Sequence, residues 1–312
     1  MKRRLRWAVV PAIGLLLLLL AFHQLPRPIA ADQLVDIRWV AAFGLERAAL
    51  YVPVSIGGRH GYVQLDTGAN TALIRAALDR YGVPYKLGEP LEWGGLAGAH
   101  RATVSNFRLG PVEIDRMGVL VYDPPEPPPG GGASTPELVH FGTLGRDFFG
   151  QGTLYLDFVA DKVGVLPRRP RIAGAAIPFA DVAAARPVLA LRVGSIELNA
   201  LLDTGTSAFP LVVAPSDVAA VAGTADPPAA AGQLTVSSWG RPVVMTRYEG
   251  EFTLQFAGFE LTVGEFYASP LQDELRRGTA GQITAIIGNA AFRGMRLALD
   301  FGARELVIGQ ND

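Results

Sequence analysis

GYVQLDTGAN at residues 61–70 closes an apolar, strand-like run on Asp66-Thr67-Gly68, and NALLDTGTSAF at residues 199–209 closes another on Asp203-Thr204-Gly205. Alternation of apolar and polar side chains ahead of the first triplet predicts a half-buried strand, and Asp-Thr-Gly itself favours a turn. A single copy is an ordinary accident of composition. Two copies, each preceded by Leu, sit in a longer matched frame. Gly57 leads Asp66 by nine residues, and Gly194 leads Asp203 by nine. Thr143-Leu144-Gly145 is answered by Ile286-Ile287-Gly288. Gly145 leads Asp157-Phe158 by twelve residues, the same interval that separates Gly288 from Asp300-Phe301. FRLGPVEI (107–114) has a looser counterpart in LQFAGFEL (254–261). A repeat this long, present twice, reads as a duplicated lobe and not as a solenoid.

The 312 residues suffice for two lobes of ordinary size, and 49% hydrophobic content supports a real core. Lys2, Arg3, Arg4 and Arg6 open the chain with no acid among them, and the rest carries 24 basic against 29 acidic residues. No basic stripe with interleaved aromatics appears, so nucleic acid is not an expected partner. The chain has no cysteine, which excludes disulfides, thiolate catalysis and Cys-based metal sites. Its four histidines are scattered without metal-ligand spacing. No GxSxG elbow, phosphate-binding loop or dinucleotide fingerprint is present. Neither a metal nor a cofactor is expected.

The basic cluster precedes an uncharged run from Trp7 to Phe22, closed by Pro26 and Pro28. Residues 1–31 therefore read as a membrane anchor, or as a signal peptide with a weak site at Ile29-Ala30-Ala31. Either places the remainder outside the cytoplasm, because the basic end stays inside. The expected lobes span 32–168 and 169–312, divided at LPRRPRIAG (166–174). Between them the pattern is strand-rich, as in ALYVPVSIGG, with a helical stretch expected over Thr71–Gly82. LEWGGLAGAHRATV predicts a hairpin about a Gly-rich turn, and residues 123–136 are too rich in Pro and Gly for regular structure. The expected fold is mostly β, two similar lobes with short helices.

Taken as a set, these motifs resemble the pepsin-like and retropepsin-like aspartic peptidases over about residues 50–310. DTGTS at 203–207 resembles the second-lobe motif of bilobal pepsins, and DTGAN at 66–70 is closer to the retroviral and bacterial single-lobe form. Asn70 departs from the usual acidic residue there. The two apolar-apolar-Gly elements resemble the family's second recurring motif. The resemblance implies lobes of the closed β-barrel type with the active site at their junction, in a membrane-anchored or periplasmic bacterial member, or a secreted one if the N-terminus is cleaved.

Two carboxylates a few ångströms apart cannot both ionise cheaply, so one proton is retained between them. The ionised member can deprotonate a water, and the protonated one can stabilise the tetrahedral oxyanion. Asp66 and Asp203 are the candidates for this dyad, against the alternative of two turn-capping aspartates. The resemblance implies support from Thr67, Gly68, Thr204, Gly205 and Thr206, with the two Thr side chains interlocking across the junction. Thr206 can bond Asp203 while Ala69 offers Asp66 nothing, which implies an asymmetric dyad. A first-lobe substrate flap is implied at Trp93-Gly94-Gly95. Trp239-Gly240 is its possible second-lobe counterpart, with Trp239 expected as core packing. The partner implied is a polypeptide substrate, cut by a monomer that carries both halves. The competing reading is a pepsin-fold module that grips peptides without cutting.

Overall fold

Burial follows the apolar residues of the two strands that end on the triplets. In the strand ending at Asp66, Gly61, Val63 and Leu65 turn inward, and in the one ending at Asp203, Leu198, Ala200, Leu201 and Leu202 are buried. The structure, a computed structural model, describes residues 29–91, 98–124, 138–150, 152–182 and 186–309. The chain runs through β1 (Val35–Asp36), β2 (Arg38–Ala42), β3 (Leu45–Ile56), β4 (Arg59–Asp66), β5 (Ala72–Ile74), α1 (Arg75–Arg80), β6 (Tyr85–Pro90), β7 (His100–Leu109), β8 (Val112–Tyr122), β9 (His140–Gly145), β10 (Thr153–Asp157) and β11 (Lys162–Leu166). It continues through β12 (Ala175–Val182), β13 (Arg186–Val193), β14 (Ile196–Asp203), β15 (Leu211–Val213), α2 (Val218–Ala222), β16 (Gly232–Ser238), β17 (Arg241–Phe256), β18 (Phe259–Ala268), α3 (Leu271–Gly278), β19 (Ala285–Gly288), β20 (Arg296–Asp300) and β21 (Glu305–Gly309).

The duplication is visible in strand order. In the first half the sheet runs β2-β3-β4-β9-β5-β8-β7-β6, and a second pairing of β3 with β7, Ser55 opposite Arg108, curls it back on itself. In the second half the order is β13-β14-β19-β15-β18-β17-β16, and β13 meets β17 at Arg192 and Gln255. From β3 and β13 onward the two orders match element for element. FRLGPVEI and LQFAGFEL are matching hairpins, with Phe107 opposite Ile114 and Leu254 opposite Leu261. The fold is mostly β, with two β lobes and short helices.

An antiparallel sheet, β1-β11-β10-β20-β21-β12, joins the lobes beneath. At its centre the repeat-equivalent strands β10 and β20 pair, from Thr153 opposite Asp300 to Asp157 opposite Arg296. Asp157 Oδ1 accepts the backbone N–H groups of Val159 and Ala160, and Asp300 Oδ1 accepts that of Ala303. Both aspartates thus cap turns. One hydrophobic cluster runs through both lobes and this floor, including Leu65, Leu144, Leu154, Leu202, Ile287 and Leu299.

The helix expected over 71–82 is shorter in the structure. Ala72 and Leu73 are fully buried as part of β5, which pairs with β8 and β9, and only Arg75–Arg80 is helical. Sheet pairing overrides local periodicity here. The expected hairpin is flanked by β6 and β7, which pair from Tyr85 opposite Val104 to Pro90 opposite His100. Its tip, with Trp93, Gly94 and Gly95, lies outside the described residues. So do residues 1–28, which hold most of the expected anchor, and most of the Pro/Gly segment. Among the described residues no helix is long and apolar enough to cross a membrane.

Candidate active site

Each triplet is positioned by a parallel strand pair. β4 runs parallel to β9 with Asp66 opposite Gly145, and β14 runs parallel to β19 with Asp203 opposite Gly288. The loop after each aspartate folds over the end of the neighbouring strand. A Cβ on Gly145 would overlap the backbone of Asn70 and Thr71, and one on Gly288 would overlap the carbonyls of Thr206 and Phe209. Glycine is required at both places because backbone passes where a side chain would stand.

The two loop tips meet. A Cβ on Gly68 would lie 2.9 Å from Asp203 Cγ, and one on Gly205 would lie 2.7 Å from Asp66 Cγ. The absent side chains are what let the carboxyls approach across the junction. Asp66 and Asp203 are within hydrogen-bonding reach of each other. Each carboxylate is also held by its own loop: Gly68 N–H donates to Asp66 Oδ1 at 2.9 Å, and Gly205 N–H to Asp203 Oδ1 at 2.8 Å.

Thr67 and Thr204, both fully buried, reach across the junction. Thr67 N–H donates to Thr204 Oγ1 at 3.0 Å, and Thr204 N–H to Thr67 Oγ1 at 3.1 Å. The Thr67 hydroxyl donates onward to the Leu202 carbonyl at 2.6 Å. Gln64, two residues before Asp66 on the same strand face, donates to the Gly205 carbonyl at 3.1 Å.

The support is unequal. The Thr206 hydroxyl donates to Asp203 Oδ2 at 2.7 Å, whereas Ala69 follows the first triplet. Asp66 is held well above the ordinary carboxylate range. Burial is the main cause, followed by the Asp203 charge and the hydrogen bond with Asp203; Gly68 N–H and Arg186 pull the other way.

The aspartates lie in a cleft of about 350 Å³ between the lobes, large enough for side chains of an extended ligand. Its first-lobe wall includes Tyr51, Tyr122 and His140; its second-lobe wall includes Val212, Trp239 and Gln272. Tyr51 is pushed up to about 12 by burial. Burial, with the nearby Tyr51 and Asp66, raises Tyr122 as well, so both phenols stay protonated. Burial holds His140 low, and its Nε2 lies 2.8 Å from the Gly142 carbonyl, so that nitrogen carries the proton. Among the described residues no group of three or more His, Asp or Glu converges as a metal site.

Several of these residues carry no local signal in the sequence. Tyr51, Tyr122 and His140 arrive on three separate strands. Asp147 fixes the first loop by accepting the Thr71 hydroxyl at 2.6 Å; in the second lobe the matching position is Ala290, and Asn289 beside it donates from Nδ2 to the Thr204 carbonyl at 2.9 Å. Gln64 was readable, since residues two apart on a strand share a face. Trp239, expected in a core, tops the β16–β17 hairpin, where it packs against the buried Ala72, Ala99, Leu120 and Tyr122 cluster and is partly exposed in the cleft. Its ring meets Tyr122 edge-on at 5.8 Å.

No protein-family model matches the chain, and no curated protein matches it. Among solved structures it is similar to the aspartic proteinase from Irpex lacteus, with a TM-score of 0.53 over 89% of this chain and 97% of that one, at 12% identity. Identity this low speaks to fold alone. The chain has the mostly β, two-lobed fold of the pepsin-like aspartic proteinases.

Proposed function

We propose that this protein is an aspartic-type endopeptidase whose catalytic pair is Asp66 and Asp203. The observation that carries the reading is the meeting of these two carboxyls at the floor of a cleft between duplicated lobes. Burial and mutual repulsion favour retention of one proton by the pair. The ionised carboxylate takes a proton from water, whose oxygen attacks the scissile carbonyl. The protonated carboxyl hydrogen-bonds the carbonyl oxygen as it gains negative charge. Collapse of the tetrahedral intermediate breaks the C–N bond, and the proton taken from water passes to the leaving amine. The products are a carboxylic acid and an amine, and no covalent bond to the protein forms.

Thr67, Gly68, Thr204, Gly205 and Thr206 hold the pair in place, and lobes spanning 32–168 and 169–312 each supply one aspartate. Residues 1–31 would tether the protein or direct its export, leaving the cleft outside the cytoplasm. Since both aspartates come from one chain, a monomer suffices.

The test is incubation of the full-length protein with a denatured protein from pH 3 to 7, with and without pepstatin. Cleavage that is lost in Asp66→Asn and Asp203→Asn supports the proposal. Binding without cleavage at every pH supports a peptide-binding module instead.

A further inference from the structure

Side chains alternate between the two faces of the floor sheet. Leu154, Leu156, Leu297 and Leu299 point into the main core, which continues through Leu65 and Leu202 to the strand ends that carry the two aspartates. Tyr155, Ala298 and Val307 point the other way and form a separate cluster with Leu166. The sheet and the core thus lie between this outer face and the cleft, and the cleft opens on the opposite side of the molecule.

The N-terminal chain enters across the outer face. Ile29 and Leu34 pack against its apolar cluster. The backbone there passes over β11 so closely that a Cβ on Gly164 would lie 2.7 Å from the Gln33 carbonyl oxygen and 2.7 Å from Leu34 Cδ2. Val35 and Asp36 then join the sheet edge beside β11. A cut after Ala31, the weak cleavage site, would remove Ile29 from the folded body into which it packs.

We infer that the protein stands on a membrane with this outer face toward the bilayer and the cleft turned away, so that it acts on polypeptide free in the aqueous compartment and not on bonds at the bilayer surface. Six residues, 23–28, separate Ile29 from the apolar run that ends at Phe22. Fully extended, they hold Ile29 within roughly 25 Å of that run. A folded body of this size has a radius of gyration of about 19 Å and is roughly 50 Å across. Turning the cleft onto the bilayer would require the tether to span the body, about twice its reach. The inference takes the tethering role of residues 1–31 as its starting point. It deepens the endopeptidase reading, on which only the cleavage arm of the test rests.

The chain has no cysteine, so a single introduced cysteine reports position without background. Arg171 is exposed next to Ile172, which packs on the outer cluster, and Ser238 lines the cleft. Full-length Arg171→Cys and Ser238→Cys proteins are each labelled with a fluorescent donor and reconstituted into vesicles that contain acceptor lipid. Energy transfer should be high from the Arg171→Cys protein and low from the Ser238→Cys protein. Equal or reversed transfer overturns the inference, as does recovery of the protein from cells in soluble form without its N-terminal segment. A second arm places one cleavable sequence about five or about twenty-five residues from a lipid anchor in the same vesicles. The near bond should be cut roughly tenfold or more slowly, because a linker too short to span the distance gives almost no effective concentration at the cleft. Soluble versions of the two peptides should be cut alike. Equal cutting of the two anchored peptides overturns the inference. If no peptide is cut but the difference in transfer holds, the orientation stands and the peptidase reading falls.

Discussion

Thr67 and Thr204, 137 residues apart, exchange hydrogen bonds in both directions, each backbone N–H donating to the other's hydroxyl. Both are fully buried, so neither N–H has water as a substitute partner. Replacing either with Val keeps the shape and orphans a buried N–H, at about 1–3 kcal/mol in stability. Chemical denaturation should show that loss for Thr67→Val and for Thr204→Val. The double variant should cost less than the sum, since the two bonds form one network. Turnover should fall more than binding, because the clasp sets the carboxyl spacing.

Asp66 gives a pH dependence with a definite sign. Its pKa is raised on folding, so the native state binds its proton more tightly than the unfolded chain does. The stabilisation is complete below the unfolded-state value and is lost as pH rises through the raised one. Asp66→Asn removes this penalty. In thermal melts it should match the wild type near pH 3 and exceed it at neutral pH. Its peptidase activity should drop by about a hundred- to ten-thousand-fold, the span ordinary for loss of a general acid or base.

Gly145 and Gly288 should tolerate no side chain. Alanine at either position would drive Cβ into the backbone of the loop that carries an aspartate. Overpacking of this kind costs about 1–3 kcal/mol or more. Gly118 is the control, since a Cβ there meets nothing within 4 Å. Gly118→Ala should melt with the wild type, whereas Gly145→Ala and Gly288→Ala should melt lower and lose activity.

Trp239 has φ 51° and Gly240 has φ 78°, the pairing expected of a two-residue hairpin turn with both residues left-handed. Bulky residues rarely accept that conformation. The ring's place against Tyr122 at the cleft accounts for it. Trp239→Gly relieves the backbone and removes the ring. Steady-state kinetics should show a raised KM with kcat largely retained, and melting should be unchanged or slightly higher.

Much of this architecture was legible before any coordinates. The nine- and twelve-residue intervals around the two triplets reflect one strand-and-loop pattern used twice, and identical strand order in both lobes follows from it. Both triplets could be placed at strand ends because the apolar runs stop at Leu65-Asp66 and Leu202-Asp203. Thr71–Ile74 misled, because Thr, Ala, Leu and Ile fit helix and strand alike and only the pairing of β5 with β8 and β9 decides. The walls of the cleft were not readable. Tyr51, Tyr122, His140 and Gln272 come together only through sheet closure, and an aromatic such as Trp239 looks the same in sequence whether it fills a core or faces a cleft.

The central claim is that two carboxyls share one proton. Carbon-13 NMR of aspartate-labelled protein, titrated from pH 2 to 8, reads this most directly. The account predicts one side-chain carboxyl still protonated well above the usual aspartate range, moving down when Asp203 is replaced by Asn. Two carboxyls that ionise independently near pH 4, each indifferent to loss of the other, would contradict it.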